Sequence, residues 1–134
     1  MPDVLVDSSV VLDVLTEDAE WGDWSARALE RAAAGSRLVI NPIVYAEVSI
    51  GFDRIESLDE ALPVGYFDRR PLPWPAAFLA ARCFVRYRRA GGQRGSPLPD
   101  FFIGAHAAVD GLTLLTHGAR RCRTYFPRLR IIAP

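Results

Sequence analysis

Short apolar runs separated by longer helix-patterned stretches constrain this chain more than any other feature. Val4-Leu5-Val6 leads into Asp7, Leu38-Val39-Ile40 follows Arg37, Leu112 to Thr116 follows a glycine, and Arg130-Ile131-Ile132 closes the pattern. Runs this short, rich in Val, Ile and Leu and without polar alternation, read as strands buried on both faces. Strands alternating with helices imply an α/β domain with a mostly parallel central sheet and helices on both faces. With 134 residues, half of them apolar, the chain can build one real core and is too short for two, so a single domain over 1–134 is expected.

The intervening stretches carry helix signals. Ser8 to Leu15 reads as a helix with Ser8 or Ser9 as its cap. Residues 20–34 read as a second, stopped at Gly35. Pro42 suits the first turn of a third, running to about Ile50. A short helix over 56–62 breaks near Pro63. A long one over 75–89 sets Arg82, Arg86 and Arg89 on one face and Phe78, Ala81 and Val85 on another. The loop Gly91-Gly92-Gln93-Arg94-Gly95-Ser96-Pro97 delivers the backbone to a helix beginning at Pro99-Asp100, and residues 119–124 form a last short helix. There is no internal repeat and no low-complexity linker.

Three acids stand apart from the solvated ones. Asp7 ends an apolar run, Glu47 lies in Asn41-Pro42-Ile43-Val44-Tyr45-Ala46-Glu47, and Asp100 follows Leu98-Pro99. A carboxylate at the carboxyl end of a buried parallel strand lies where open α/β sheets bind ligands. If the other two converge on it, the product is a site for a hard divalent cation, since carboxylates and water are the ligands that magnesium and manganese prefer. Such an ion can polarise a phosphodiester and lower the pKa of a bound water. Each acid also has a bland reading: Asp7 as a helix cap, Asp100 as a partner of a helix dipole, Glu47 as a solvated helix residue. Asp13 and Asp110 fit exposed helix positions and are assigned no chemistry. His106 reads as a helix-surface or partly buried histidine, not a base.

Net charge is zero, but the zero hides a separation: residues 1–68 hold 14 acids and 4 arginines, whereas residues 69–134 hold 2 acids and 12 arginines. All 16 basic residues are arginine, the side chain suited to bidentate phosphate contact and to stacking on bases, although a GC-rich coding bias gives the same composition. A basic surface attracts polyanions. No basic amino-terminal region and no apolar run near the roughly 20 residues of a spanning helix are present, so a soluble, cytoplasmic protein is expected. Cys83 and Cys122 are far apart and not in CxxC spacing, which points to neither a zinc site nor a disulfide framework.

Nearly end to end, the chain resembles the PIN-domain ribonucleases, and within them the VapC-type toxins of type II toxin–antitoxin systems. Val6-Asp7-Ser8-Ser9-Val10, Asn41 through Glu47, and Leu98-Pro99-Asp100-Phe101-Phe102-Ile103-Gly104-Ala105-His106-Ala107 carry the three acid motifs in order. Leu114-Leu115-Thr116, Arg120 through Pro127 and Leu129-Arg130-Ile131-Ile132 continue the match. The resemblance implies a PIN-like fold and an endoribonuclease dependent on Mg2+ or Mn2+. Its substrate would be single-stranded or loop RNA, whether tRNA, rRNA or mRNA, and its inhibitor a small VapB-type antitoxin; it would be a homodimer. It implies that Asp7 and Asp100 bind the metal most directly and that Glu47 completes the catalytic site. Ser9 and Thr116 would orient these acids through their hydroxyls, although a helix cap is the alternative role for Ser9.

One position departs from the pattern. Where the family has a fourth acid, this chain reads Thr116-His117-Gly118, which predicts weaker cation affinity and reduced activity. His117 reaches inward as a substitute or lies exposed at the strand end. The alternatives are a PIN-like domain that binds antitoxin or RNA with weak or no catalysis, and a receiver-like phosphoacceptor, which needs a lysine this chain lacks. Arg88, Arg89, Arg94, Arg120 and Arg121 are the candidates for guiding RNA phosphates, contacts that position a strand without reading its sequence. Trp21, Trp24 and Phe52, in the acidic half, are candidates for a groove or dimer surface that an antitoxin arginine enters.

Overall fold

The computed structural model describes residues 2–92 and 97–134. Among these residues five strands, β1 (Val4–Val6), β2 (Leu38–Ile40), β3 (Phe67–Arg69), β4 (Thr113–Leu115) and β5 (Ile131–Ile132), form one sheet in the order β3-β2-β1-β4-β5, and every pairing is parallel. The register sets Val4 against both Leu38 and Thr113, and Val6 against Leu115. Val4, Leu5 and Val6 are at most 3% exposed, and successive strand side chains point to opposite faces, so helices must cover the sheet on both sides. Among the described residues seven helices do so: α1 (Ser8–Leu15), α2 (Gly22–Gly35), α3 (Pro42–Ser49), α4 (Ile55–Ala61), α5 (Trp74–Arg89), α6 (Leu98–Asp110) and α7 (Arg120–Tyr125).

Most of these boundaries follow the sequence signals to within a residue or two. The strand β3 does not. Of Phe67, Asp68 and Arg69 only Phe67 is buried, so a run with one apolar residue in three carries no strand pattern. It is a strand because β2 offers it a parallel ladder at the sheet's edge.

Three local expectations are corrected. The residue preceding α1 at the cap position is Asp7, not Ser8 or Ser9, and no side chain caps that helix end. Asp13 is 5% exposed and so is not on a solvated face. The buried face of α5 is Ala76, Ala80 and Cys83, whereas Phe78 is 68% exposed beneath the Arg82 guanidinium. Small residues face inward there because α5 lies close against α6, and a Phe would not fit between two closely packed helices. Cys83 and Cys122 are buried and unpaired. Among the described residues no helix is long and apolar enough to cross a membrane.

Candidate active site

The chain direction in a parallel sheet brings the ends of β1 and β4 side by side, and this builds the first part of the site. The Asp7 N–H donates to the Leu115 carbonyl at 2.9 Å, extending the ladder one residue past the strand. The Asp7 Oδ2 then accepts from the Ser9 hydroxyl at 2.7 Å and from the Thr116 hydroxyl at 2.8 Å. Thr116 is in turn fixed by the Gly118 N–H, which donates to its Oγ1 at 3.1 Å. The carboxylate therefore does not cap α1; two hydroxyls from opposite ends of the sequence hold it.

Glu47 arrives on α3. Asn41 starts that helix by accepting the Val44 N–H on its Oδ1 at 2.9 Å, and Pro42 occupies the first turn, where a missing N–H costs nothing. One and a half turns later Glu47 accepts a hydrogen bond from Ser8 Oγ at 2.8 Å, which ties α3 to the start of α1. Burial raises the Glu47 pKa above the ordinary carboxylate range; the Ser8 bond opposes this, and the charges of Asp7 and Asp100 add to it.

Asp100 lies in the first turn of α6. Its pKa is also raised, first by burial and then by Asp7, against the pull of Arg121, whose Nη1 donates to Asp100 Oδ2 at 2.8 Å. The Cys122 thiol is pushed up to about 12 by burial and then by the charges of Asp100 and Asp7. That thiol is neutral at physiological pH.

Each pair among Asp7, Glu47 and Asp100 thus shares one negative field at the carboxyl edge of the sheet. Among the described residues no three His, Cys, Asp or Glu side chains are gathered as a finished metal shell. Oxygen donors that repel one another fit a hard divalent cation, one that keeps several waters and takes only one or two carboxylates directly. Among the described residues Arg121 brings a positive charge against one of them, Asp100.

Around this core lie residues whose roles the sequence did not reveal. His106 is not a surface histidine: it is fully buried, between Asn41 and Asp110. Because Asn41 Oδ1 already accepts from Val44, its amide NH2 donates to His106 Nδ1 at 3.0 Å, leaving the ring proton on Nε2 to reach Asp110 Oδ2 at 3.0 Å. This bridge joins α3, which carries Glu47, to α6, which carries Asp100. His117 neither lies free nor turns toward the acids. Its Nδ1 bonds the buried Asp13 Oδ2 at 2.5 Å, the same oxygen accepts from Ser25 at 2.7 Å, and its ring stacks on Trp21 at 5.4 Å. The two polar partners that make Asp13 tolerable inside come from α2 and from the end of β4, contacts that no helical periodicity encodes.

The arginine candidates divide. Arg121 is engaged with Asp100 and lies over the Tyr87 ring at 5.6 Å, whereas Arg88, Arg89 and Arg120 are exposed, Arg88 over Phe84 at 6.0 Å. Arg94 lies outside the described residues. Trp21 is occupied by His117, Trp24 lines a cavity beside α2, and Phe52 is partly buried against the core.

A parallel sheet covered on both faces, with coupled carboxylates at its carboxyl edge, defines an α/β domain with an acidic, oxygen-donor site. Residues 4–127 match the PIN domain model, and the chain belongs to the PIN domain family. No curated protein matches the sequence significantly. Among solved structures, the fold is similar to a chain of VapBC2 from Rickettsia felis bound to a promoter DNA fragment, with a TM-score of 0.73, 18% identity and 97% of each chain covered. VapBC-1 from nontypeable Haemophilus influenzae gives 0.72 at 17% identity, covering 97% of this chain and 96% of that one. VapC20 from Mycobacterium tuberculosis, a Sarcin-Ricin loop cleaving toxin, gives 0.62 at 12% identity, covering 87% and 88%.

Proposed function

We propose that this protein is a VapC-type toxin, a divalent-cation-dependent endoribonuclease that cuts single-stranded or loop RNA and is neutralised by a small VapB-type antitoxin, working as a homodimer. The observation that carries the reading is the shared negative field of Asp7, Glu47 and Asp100, three carboxylates from distant sequence positions at one sheet edge. Membership of the PIN family supports nuclease chemistry, and the VapBC complexes among its structural neighbours support an antitoxin partner.

Asp7, Asp100 and Glu47 would hold Mg2+ or Mn2+, which supplies Lewis acidity at a phosphoryl oxygen and a lowered pKa for bound water. The chain's own hydroxyls do the positioning. Ser9 and Thr116 fix the Asp7 carboxylate in one rotamer, Ser8 fixes Glu47, and Arg121 restrains Asp100. The raised pKa values of Glu47 and Asp100 mean that protons compete with a cation for this site at a higher pH than ordinary carboxylates would allow, so activity falls on the acid side.

Purified protein incubated with total RNA, with Mg2+ or Mn2+ or with a chelator, tests the proposal. Fragments are expected only with the cation and not with Asp7→Asn. Cleavage that persists in the Asp7→Asn protein would overturn it.

A further inference from the structure

A second polar constellation lies at the other edge of the sheet. A cavity of about 680 Å³ opens between α2 and the amino-terminal ends of β1 and β4, and three arginines line it: Arg27 and Arg31 from α2, and Arg130 just before β5. Trp24, Thr113 and Ile131 form part of the wall, and among the described residues no acid lines it. Among the described residues none of the three arginines is in an ion pair, whereas Arg37, Arg54, Arg69, Arg70 and Arg121 all are. The cavity is flanked by Val4 and Thr113 at the strands' first residues; the acids begin just past their last, about 10 Å away along a three-residue strand.

Arg27 and Arg31 sit four residues apart on one helix face, an arrangement of like charges that disfavours the helix unless something offsets it. They are two of the four arginines among the 68 residues of the acidic half. Glu30, on the same helix, lines a different cavity with Val11 and Leu29, and Asp23, one turn before Arg27, does not line this one. A concave site lined by three arginines, a threonine and a tryptophan matches a group that presents anionic oxygens together with a planar ring. Arginine gives bidentate contact to phosphate, and tryptophan gives a surface on which a base stacks.

We propose that this cavity binds nucleotides of a single-stranded RNA segment outside the scissile site, with Arg27, Arg31 and Arg130 on phosphates and Trp24 beside a base. The choice of RNA rests on the ribonuclease reading above. The test is kept independent of cleavage by working in chelator, where only binding is read.

A fluorescein-labelled single-stranded RNA is titrated with the full chain over a range of salt concentrations. The pair Arg27→Ala with Arg31→Ala is compared with an equal-charge control, Arg54→Ala with Arg82→Ala. Each phosphate contact on a single strand contributes about 0.7 to the slope of log affinity against log salt, so the first pair should lower that slope by about 1.4 and weaken binding at least roughly tenfold. The control pair should change the slope little. Equal slopes in the two pairs, or a first pair that binds RNA as the parent does, overturns the proposal. Polyglutamate that binds the parent and is lost in the first pair, while RNA binding is kept, also overturns it, because the occupant would then be an acidic protein segment. If RNA binds as expected but is never cut on adding cation, the nuclease reading fails and the binding site stands.

Discussion

Replacing Asn41 by alanine should destabilise the protein far more than an asparagine beside a proline suggests. Asn41 is 2% exposed and serves two structures at once: its Oδ1 caps α3 through the Val44 N–H, and its amide NH2 donates to the fully buried His106. Loss of a cap costs about 1 kcal/mol. Leaving the His106 Nδ1 without a donor in the interior costs about 1 to 3 kcal/mol more. The sum, about 2 to 4 kcal/mol, is a large share of the roughly 5 to 15 kcal/mol that holds a domain folded. Asn41→Ser retains an acceptor for the cap but is too short to reach His106, so it should recover only about 1 kcal/mol of the loss. Urea unfolding followed by circular dichroism at pH 7.5 measures both, with the denaturant slope expected to stay constant while the midpoint moves. A loss under about 1 kcal/mol for the alanine protein, or a serine protein as stable as the parent, would refute the bridge as an element of stability. Since the bridge joins the helices carrying Glu47 and Asp100, cleavage should also fall in Asn41→Ala under conditions where it remains folded.

Three further outcomes are expected. Gly118→Asp should raise cleavage and cation affinity, because the position is exposed and nothing lies within 4 Å of a Cβ placed there; unchanged activity in a metal titration would mean that no fourth acid is missed. Gly104→Ala should lower stability by about 1 kcal/mol, since its Cβ would come within 2.5 Å of the buried Phe126 ring and the overpacking, about 1 to 3 kcal/mol, outweighs the helix-propensity gain of about 1 kcal/mol; a raised melting temperature would contradict this. In a proton NMR titration, His106 should titrate below the ordinary histidine value of about 6.5, because burial disfavours its charged form more than Asp110 favours it. The unfolded chain then takes up the proton first, so the stability linked to His106 is present above about 6.5 and is lost as the pH falls through the folded value. Glu47 and Asp100, with raised values, act with the opposite sign, which is why the site-resolved titration and not the melting curve is the decisive measurement.

The order of strands and helices was legible because burial leaves a periodic mark: Val4-Leu5-Val6 is apolar throughout, as a strand covered on both faces is, and Pro42 opens a helix by backbone sterics alone. The three candidate acids stood out for a related reason, each being a charge set among apolar or turn-forming neighbours. β3 was not legible, because an edge strand with one buried residue is made by its neighbour's hydrogen bonds and not by its own pattern.

Which polar groups meet was decided in three dimensions. Asp13 and His117 are 104 residues apart, Asp7 and Thr116 are 109 apart, and Arg27 shares a cavity with Arg130. A local sequence records how each of these residues suits its own helix or strand. Whether a buried carboxylate finds its donors, or an arginine its counter-charge, depends on the parallel closure of β1 against β4 and on the packing of α2 and α3 beside them. The sequence therefore sets the scaffold and the inventory of charges, while tertiary contact assigns each charge its partner, because electrostatic and hydrogen-bond energies depend on distance through space and are blind to separation along the chain.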